Sequence, residues 1–229
     1  MKKHILIMIS LISVCMLSSC KPAPTGPAGE KGETGIDHKT IYLKSEKNTF
    51  LQIKAGEVIK PQGIYYDLHI GTAIEGSVHG PSISRALVYF NFKEYNLTPK
   101  SIIVSANLKL SVYETSKEKS YDHLAKYNLH PITREWDTQK ATWEVPWNKP
   151  GGDYVASAIL GQTVLKMDNK KKKVDIALDP TYIQNWLNGQ DYFGFLIKEA
   201  TEQGEISEQA LHTHVVFSSF GLTIIYKEE

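Results

Sequence analysis

The sequence predicts an all-β protein, an antiparallel β-sandwich with one short capping helix. Three observations predict it. From about residue 40 to residue 226, apolar and polar residues alternate with period two, which marks strands with one face in a core. Turn residues interrupt the alternation at short, regular spacing, as in sandwiches of short strands. A single segment carries apolar residues at helical spacing, so helices are too few to build a layer of their own.

The chain opens with a segment that precedes the fold. Lys2 and Lys3 form a basic start, and Ile5 to Leu17 is an apolar stretch broken by Ser10 and Ser13. It is too short for a comfortable membrane span, so residues 1–19 read as an export signal. Leu17-Ser18-Ser19-Cys20 resembles a bacterial lipobox. That resemblance implies that Cys20 is lipidated and becomes the new N-terminus; an ordinary secretory signal with an incidental cysteine is the alternative. Lys21 follows, where aspartate would favour inner-membrane retention in bacterial sorting, so the resemblance implies the outer membrane of the cell envelope. Each buried methylene contributes about 0.8 kcal/mol, and one acyl chain binds only marginally; bacterial lipoproteins carry more than one. Cys15 lies in the discarded stretch, which leaves no cysteine for a disulfide, so the body must be held by its apolar core. The remaining chain of roughly 210 residues is large enough for that.

Residues 20–39 read as the lipidated cysteine and a tether. Gly26, Gly29, Gly32 and Gly35 fall at every third position, as the axis of a collagen triple helix requires. Pro27 is the one proline among the intervening positions. The run reads as a hydrated, extended arm, reaching roughly 60 Å at about 3.1 Å per residue. A weak trimer nucleated by lipid crowding is the other reading.

The body follows from residue 40 to 229. Short strand candidates are "IYL" at 41, "FLQI" at 50 and "IYYDLHI" at 64. "SRALVYFNF" sets Ala86, Val88, Phe90 and Phe92 against Arg85, Leu87, Tyr89 and Asn91; both faces are partly apolar, which suits a central strand. In "SIIVSANLKLSVYE", Ile102, Val104, Ala106, Leu108, Leu110 and Val112 point one way, and Ile103 and Tyr113 blur the polar face. "KYNLHPI" at 126, "TVLKM" at 163 and "KVDIALD" at 173 follow. Between the last two, "MDNKKK" reads as a hairpin tip. In "LDPTYIQNWLNGQ", Asp179 suits the cap, Pro180 the first helical position and Gly189 the exit. Tyr182, Ile183, Trp186 and Leu187 share one face of that helix, so Trp186 reads as core. "YFGFLIK" at 192, "HVVFSS" at 214 and "LTIIYK" at 222 complete about eight to ten strands. The stretches 114–126 and 199–211 read as long loops.

Four of these segments carry a resemblance. "SRALVYFNF", "PKSIIVSANLKLSVYE", "ITREWDTQKATWEVPWNKPGGDY" and "VDIALDPTYIQNWLNGQDYFGFLIK" stand in that order. Together they resemble the DNRLRE-type domain, grouped with family 96 carbohydrate-binding modules, over roughly residues 40 to 227. The resemblance implies a jelly-roll-like sandwich that binds carbohydrate. Asp137 and Thr138 stand where the family often has serine and glutamate, and Asp191 stands where asparagine is usual.

The residues themselves offer several chemistries. A sugar presents an apolar C–H face to an aromatic ring, and the densest aromatic stretch is Trp136, Trp143, Trp147 and Tyr154. Trp136 and Trp143 read as core or as ligand contacts. Trp147 lies in "VPWNKPGGDY", a loop context that presents a ring, beside Tyr154. Asp153 can orient a hydroxyl, or join the carbonyls of Gly151 and Gly152 around calcium, although calcium wants six to eight oxygens. Lys170, Lys171, Lys172 and Lys173 form a solvated turn that discourages edge pairing, or attract an acidic polysaccharide. His212 and His214 share a face if they lie on a strand, the seed of a metal site without an evident third ligand.

Composition narrows the functional classes. Loss of Lys2 and Lys3 takes the formal charge from +1 to −1, which argues against nucleic acid as the main partner. Phosphate-loop, zinc and nucleophile-elbow motifs are absent from the sequence. Glu135, Asp137 and Glu144 could supply paired carboxylates for glycoside hydrolysis, but ordinary surface acids always offer such pairs. The expectation is a membrane-anchored, non-catalytic lipoprotein that binds polysaccharide and needs no cofactor. A structural or adhesion module contacting another envelope protein is the second expectation, and a polysaccharide lyase or hydrolase the third.

Overall fold

The computed structural model describes residues 37–60, 63–74, 80–113, 123–168, 170–202, 204–205 and 210–228. Residues 1–19, read above as an export signal, Cys20 and the glycine repeat lie outside the described residues. Among those residues the strands are β1 (Lys39–Lys44), β2 (Lys47–Lys54), β3 (Glu57–Val58), β4 (Asp67–Ala73), β5 (Ser82–Tyr89), β6 (Ser101–Tyr113), β7 (Leu124–Pro131), β8 (Gly161–Lys166), β9 (Lys172–Leu178), β10 (Phe195–Glu199) and β11 (Val215–Glu228), with the helix α1 (Pro180–Leu187) between β9 and β10. Every pairing is antiparallel. The protein is an all-β, jelly-roll-like sandwich with one short helix.

One layer is β9-β6-β11, with β1 and the first half of β4 in tandem along the free edge of β11. The other is β8-β7-β10-β5-β2-β3. Strand β4 belongs to both: Asp67–Ile70 pair with β11, and Gly71–Ala73 pair with β5. The bend falls at Gly71, whose φ is +100°, and a Cβ there would collide with the Thr213 carbonyl. At the opposite side the edge strands β8 and β9 lie against each other. Gly161 allows this, since a Cβ would meet the Ala177 carbonyl at 2.7 Å.

Between the layers, Leu43, Ile70, Val88, Leu108, Leu129, Ile176, Ile197, Phe217 and Leu222 form the main core. Helix α1 closes one end of it. The Asp179 carboxylate accepts from the Thr181 amide at 2.9 Å and caps the first turn. Trp186 is core, as its helical face requires, with ring centroids 4.5 Å from Tyr192 and 5.6 Å from Phe195. A second apolar cluster lies on the outer face of the β5 layer. Leu51, Ile83, Leu87 and Leu196 project there and are covered by Ile132, Trp136, Ala141, Trp143 and Trp147. This is why β10 and nearly all of β5 are buried on both faces.

The structure corrects the sequence reading in four places. "HVVFSS" and "LTIIYK" are one strand, β11, kept in register by an extra residue between Ser218 and Gly221, where Ser219 takes φ +58°. Phe92 begins a 3-10 turn rather than ending a strand, and still reaches the core. The lysine-rich turn is not a hairpin tip: β8 pairs with β7 and β9 with β6, so the turn carries the chain from one layer to the other. In β6, Ser105 faces Ile225 and Ile103 faces Tyr226, so Val104 is a bulge. A bulge flips the parity of what precedes it. Ile103 is therefore 8% exposed and Val104 43% exposed, the reverse of the simple alternation. Ile103→Ala should cost about 2–5 kcal/mol of unfolding free energy, and Val104→Ala about 0.5 kcal/mol or less, as read by urea denaturation.

Candidate functional site

The segment from Ile132 to Leu160, where the aromatic candidates cluster, is a cover rather than a presented loop. Trp136, Trp143 and Trp147 are buried at 6%, 3% and 7% exposure. The Trp136 indole donates to the Phe193 carbonyl at 2.7 Å, and that of Trp147 to the Thr142 carbonyl at 2.8 Å. Trp147 is thus not displayed to a ligand. The sheet face beneath is apolar, and covering it stabilises more than leaving the ring in water. The loop context misled because the second cluster is assembled from β2, β5 and β10, distant in sequence.

Arg85 stands in the middle of that covered face. Its guanidinium grips Glu202 through Nε at 2.8 Å and Nη2 at 2.9 Å, and donates to the Gly151 carbonyl at 2.6 Å. It lies 4.7 Å from the Trp143 ring centroid and 5.8 Å from that of Tyr154. Lys198 donates to the Glu202 carbonyl at 2.6 Å. Arg85, Lys198 and Glu202 are all buried. Sequence reading missed this knot, since its partners come from three separate segments.

Asp153 and Tyr154 do meet, with Asn148 and Lys149, in a cleft of about 420 Å³. The Asp153 carboxylate accepts from the amides of Asn148 and Lys149 and from Arg134 Nε at 2.9 Å. Burial favours its protonated form, but those amides and Arg134 outweigh burial and hold the carboxyl below the usual carboxylate range. Its hydrogen bonds fold the loop back on itself. Two of the oxygens in the calcium arrangement thus already face a guanidinium: Asp153 Oδ2 meets Arg134, and the Gly151 carbonyl meets Arg85.

The remaining candidates scatter. Lys170 is exposed, Lys172 and Lys173 belong to β9, and Lys172 pairs with Asp168 at 2.7 Å. His212 and His214 precede β11 rather than lying on a strand, and both are buried. A hydrogen bond of 3.0 Å joins His214 Nε2 to His69 Nδ1. Among the described residues, no group of three or more His, Cys, Asp or Glu is placed to hold a metal.

An exposed aromatic site does exist, at the corner between β1 and β2. Tyr42, Lys44, Ser45, Glu46, Asn48, Ile64, Tyr66, Ser219 and Phe220 line a cleft of about 410 Å³. Tyr66 is 82% exposed and Tyr42 50% exposed. The Tyr42 ring lies across Gly221, where a Cβ would collide with it. The signal for Tyr42 was in the sequence: Leu43 is buried, so its neighbour on the strand must face outward. A second cleft, of about 230 Å³, is lined by Lys47, Tyr89, Glu135, Trp136, Tyr192 and Phe193. Tyr89 and Tyr192 stack there at 5.1 Å, and burial, followed by the Glu46, Glu94 and Glu135 carboxylates, raises the Tyr89 phenol above its ordinary value.

No protein-family model matches this chain, and no curated protein does. The site therefore rests on its own geometry.

Among the described residues, removing Arg85 leaves the Glu202 carboxylate with Lys198 at 3.7 Å, and takes the guanidinium from the Gly151 carbonyl. Arg85→Ala should cost about 3–5 kcal/mol, read as a lower urea midpoint.

Proposed function

We propose that the sandwich is a non-catalytic carbohydrate-binding module of a lipid-anchored bacterial envelope protein. One observation carries this reading: two exposed tyrosines, Tyr42 and Tyr66, share a cleft with Lys44, Ser45, Glu46, Asn48 and Ser219. Aromatic faces suit the C–H face of a pyranose, and the polar rim suits its hydroxyls. Covering about 100 Å² of apolar surface contributes roughly 2.5 kcal/mol per ring. Two rings with a few hydrogen bonds reach a millimolar dissociation constant, about 4 kcal/mol, after the costs of association. The order and content of the motif segments, which resemble the DNRLRE-type domain, point the same way. Trp147 is replaced as the centre of the site by Tyr42 and Tyr66.

Binding is favoured over hydrolysis because, among the described residues, each of the three clefts described above is lined by one carboxylate: Glu46, Glu135 or Asp153. Glycoside hydrolysis needs two that face each other across the bond. A protein-contact module is the second reading, favoured by Leu124 and Val164, 68% and 54% exposed on the outward side of the β7–β8 edge. It gains if no polysaccharide retards the protein.

In affinity electrophoresis of the detergent-solubilised full chain, Tyr66→Ala and Tyr42→Ala should each weaken retardation by a polysaccharide about tenfold, within the contribution of one ring. Unchanged retardation in both variants would remove the site. The lipid-anchor proposal rests on the lipobox-like residues before Cys20. Cys20→Ala should lose palmitate label and leave the membrane pellet, and a labelled, sedimenting variant would defeat it.

A further inference from the structure

We infer that the outward face of β7 and β8, with the lysine-rich turn that follows β8, is a docking surface for an anionic phospholipid membrane. The tryptophan cover ends before this face does. On the outward side of β7, His130 and Asn128 are buried, and His130 Nδ1 lies 2.8 Å from the Ala158 carbonyl. Lys126 and Leu124, further along the same side, are exposed.

The open part is a patch of four side chains. Lys126 is the register partner of Val164, and Leu124 that of Lys166. Directly opposite residues share a face, so each aliphatic side chain has a lysine beside it on the neighbouring strand. Leu124 is 68% exposed and Val164 54% exposed. A single exposed aliphatic residue is ordinary. Two on one face, each beside a lysine, suit the boundary between headgroups and acyl chains. The aliphatic groups enter it, and the lysine stems lie along them while the ammonium groups stay among the phosphates.

The turn adds to the charge. It is held against the patch, with the Met167 amide donating to the His123 carbonyl at 3.0 Å and Lys172 Nζ donating to the Lys166 carbonyl at 2.8 Å. Lys126, Lys166, Lys170, Lys171 and Lys172 stand against Asp168, whose carboxylate is engaged by Lys172 at 2.7 Å. Glu199, on the adjoining β10, is buried and bonded to Thr201. Strands β7 and β8 carry no carboxylate of their own. An anionic leaflet attracts such a cluster, and each lysine near its surface changes affinity about fivefold. An acidic polysaccharide would meet the lysines as well, but it has no use for Leu124 and Val164. The two aliphatic residues therefore favour the lipid surface.

The test is tryptic cleavage of the full chain reconstituted into vesicles of phosphatidylcholine alone, or of phosphatidylcholine and phosphatidylglycerol in equal parts. Vesicle-bound protein is collected by sedimentation, and products are read by mass spectrometry. Cleavage after Lys170 and Lys171 is taken relative to cleavage after Lys100, an exposed site in another loop, so an effect of the lipid on the protease cancels. Relative cleavage should fall about fivefold or more on the mixed vesicles, against both the neutral vesicles and the chain in detergent. In 1 M NaCl, where screening acts over about 3 Å, it should recover. Leu124→Thr with Val164→Thr, and separately Lys126→Gln with Lys166→Gln, should each restore cleavage at least threefold; all four positions are exposed, so the core is untouched. Absence of protein on the mixed vesicles, or equal relative cleavage on both kinds, overturns the membrane surface and leaves the face to the protein-contact reading. Protection indifferent to either pair of substitutions also overturns it. Equal protection by polygalacturonate in detergent, surviving Leu124→Thr with Val164→Thr, assigns the lysines to an acidic glycan instead. None of these outcomes touches the tyrosine cleft, so the glycan reading stands or falls separately.

Discussion

The constraint on which the rest depends is that β5 and β10 are apolar on both sides. The inner side packs between the layers, as in any sandwich. The outer side, with Leu87 and Leu196, must also be kept from water, and three tryptophans carried by Ile132 to Leu160 do this. Arg85 lies among them on β5. A charge so placed is tolerated only when paired and fully hydrogen-bonded, and Glu202 and Gly151 meet that demand from two different loops. The cover and the charge therefore hold each other in place. This explains why the three tryptophans of the most aromatic stretch are structural.

The fold was largely legible because the strands are half-buried. Leu108, Leu110 and Val112 alternate with Asn107, Lys109 and Ser111, and the same rhythm in β9 sets Ile176 and Leu178 against Asp175 and Ala177. The helix was legible for a different reason: Asp179, Pro180 and Gly189 act through their immediate neighbours, so local rules suffice. What escaped needed information from a partner strand. The bulge at Val104 exists only relative to β11. The crossing of the lysine-rich turn between layers depends on β8 finding β7 and β9 finding β6.

The site was less legible, because composition marks where rings are and not which way they face. Trp147 lies between prolines and glycines, yet its indole finds the Thr142 carbonyl and its ring joins a core. Tyr42 and Tyr66 stand in ordinary strand-like text, and the exposure of Tyr42 follows from Leu43 turning inward beside it. Tyr42 was recoverable by alternation alone. Tyr66 was not, since it precedes β4 and its direction is set by the approach to the corner.

Strand β1 has a mechanical meaning. It starts at Lys39 and ends at Lys44, on the wall of the tyrosine cleft. If, as proposed above, a glycan is held at that cleft and Cys20 is fixed to a membrane, tension would run lengthwise through β1. The strand lies antiparallel to β11 from Lys39 opposite Tyr226 to Lys44 opposite Gly221. Such a pull would load the whole ladder in shear, the most rupture-resistant direction in the sheet, instead of unzipping it bond by bond.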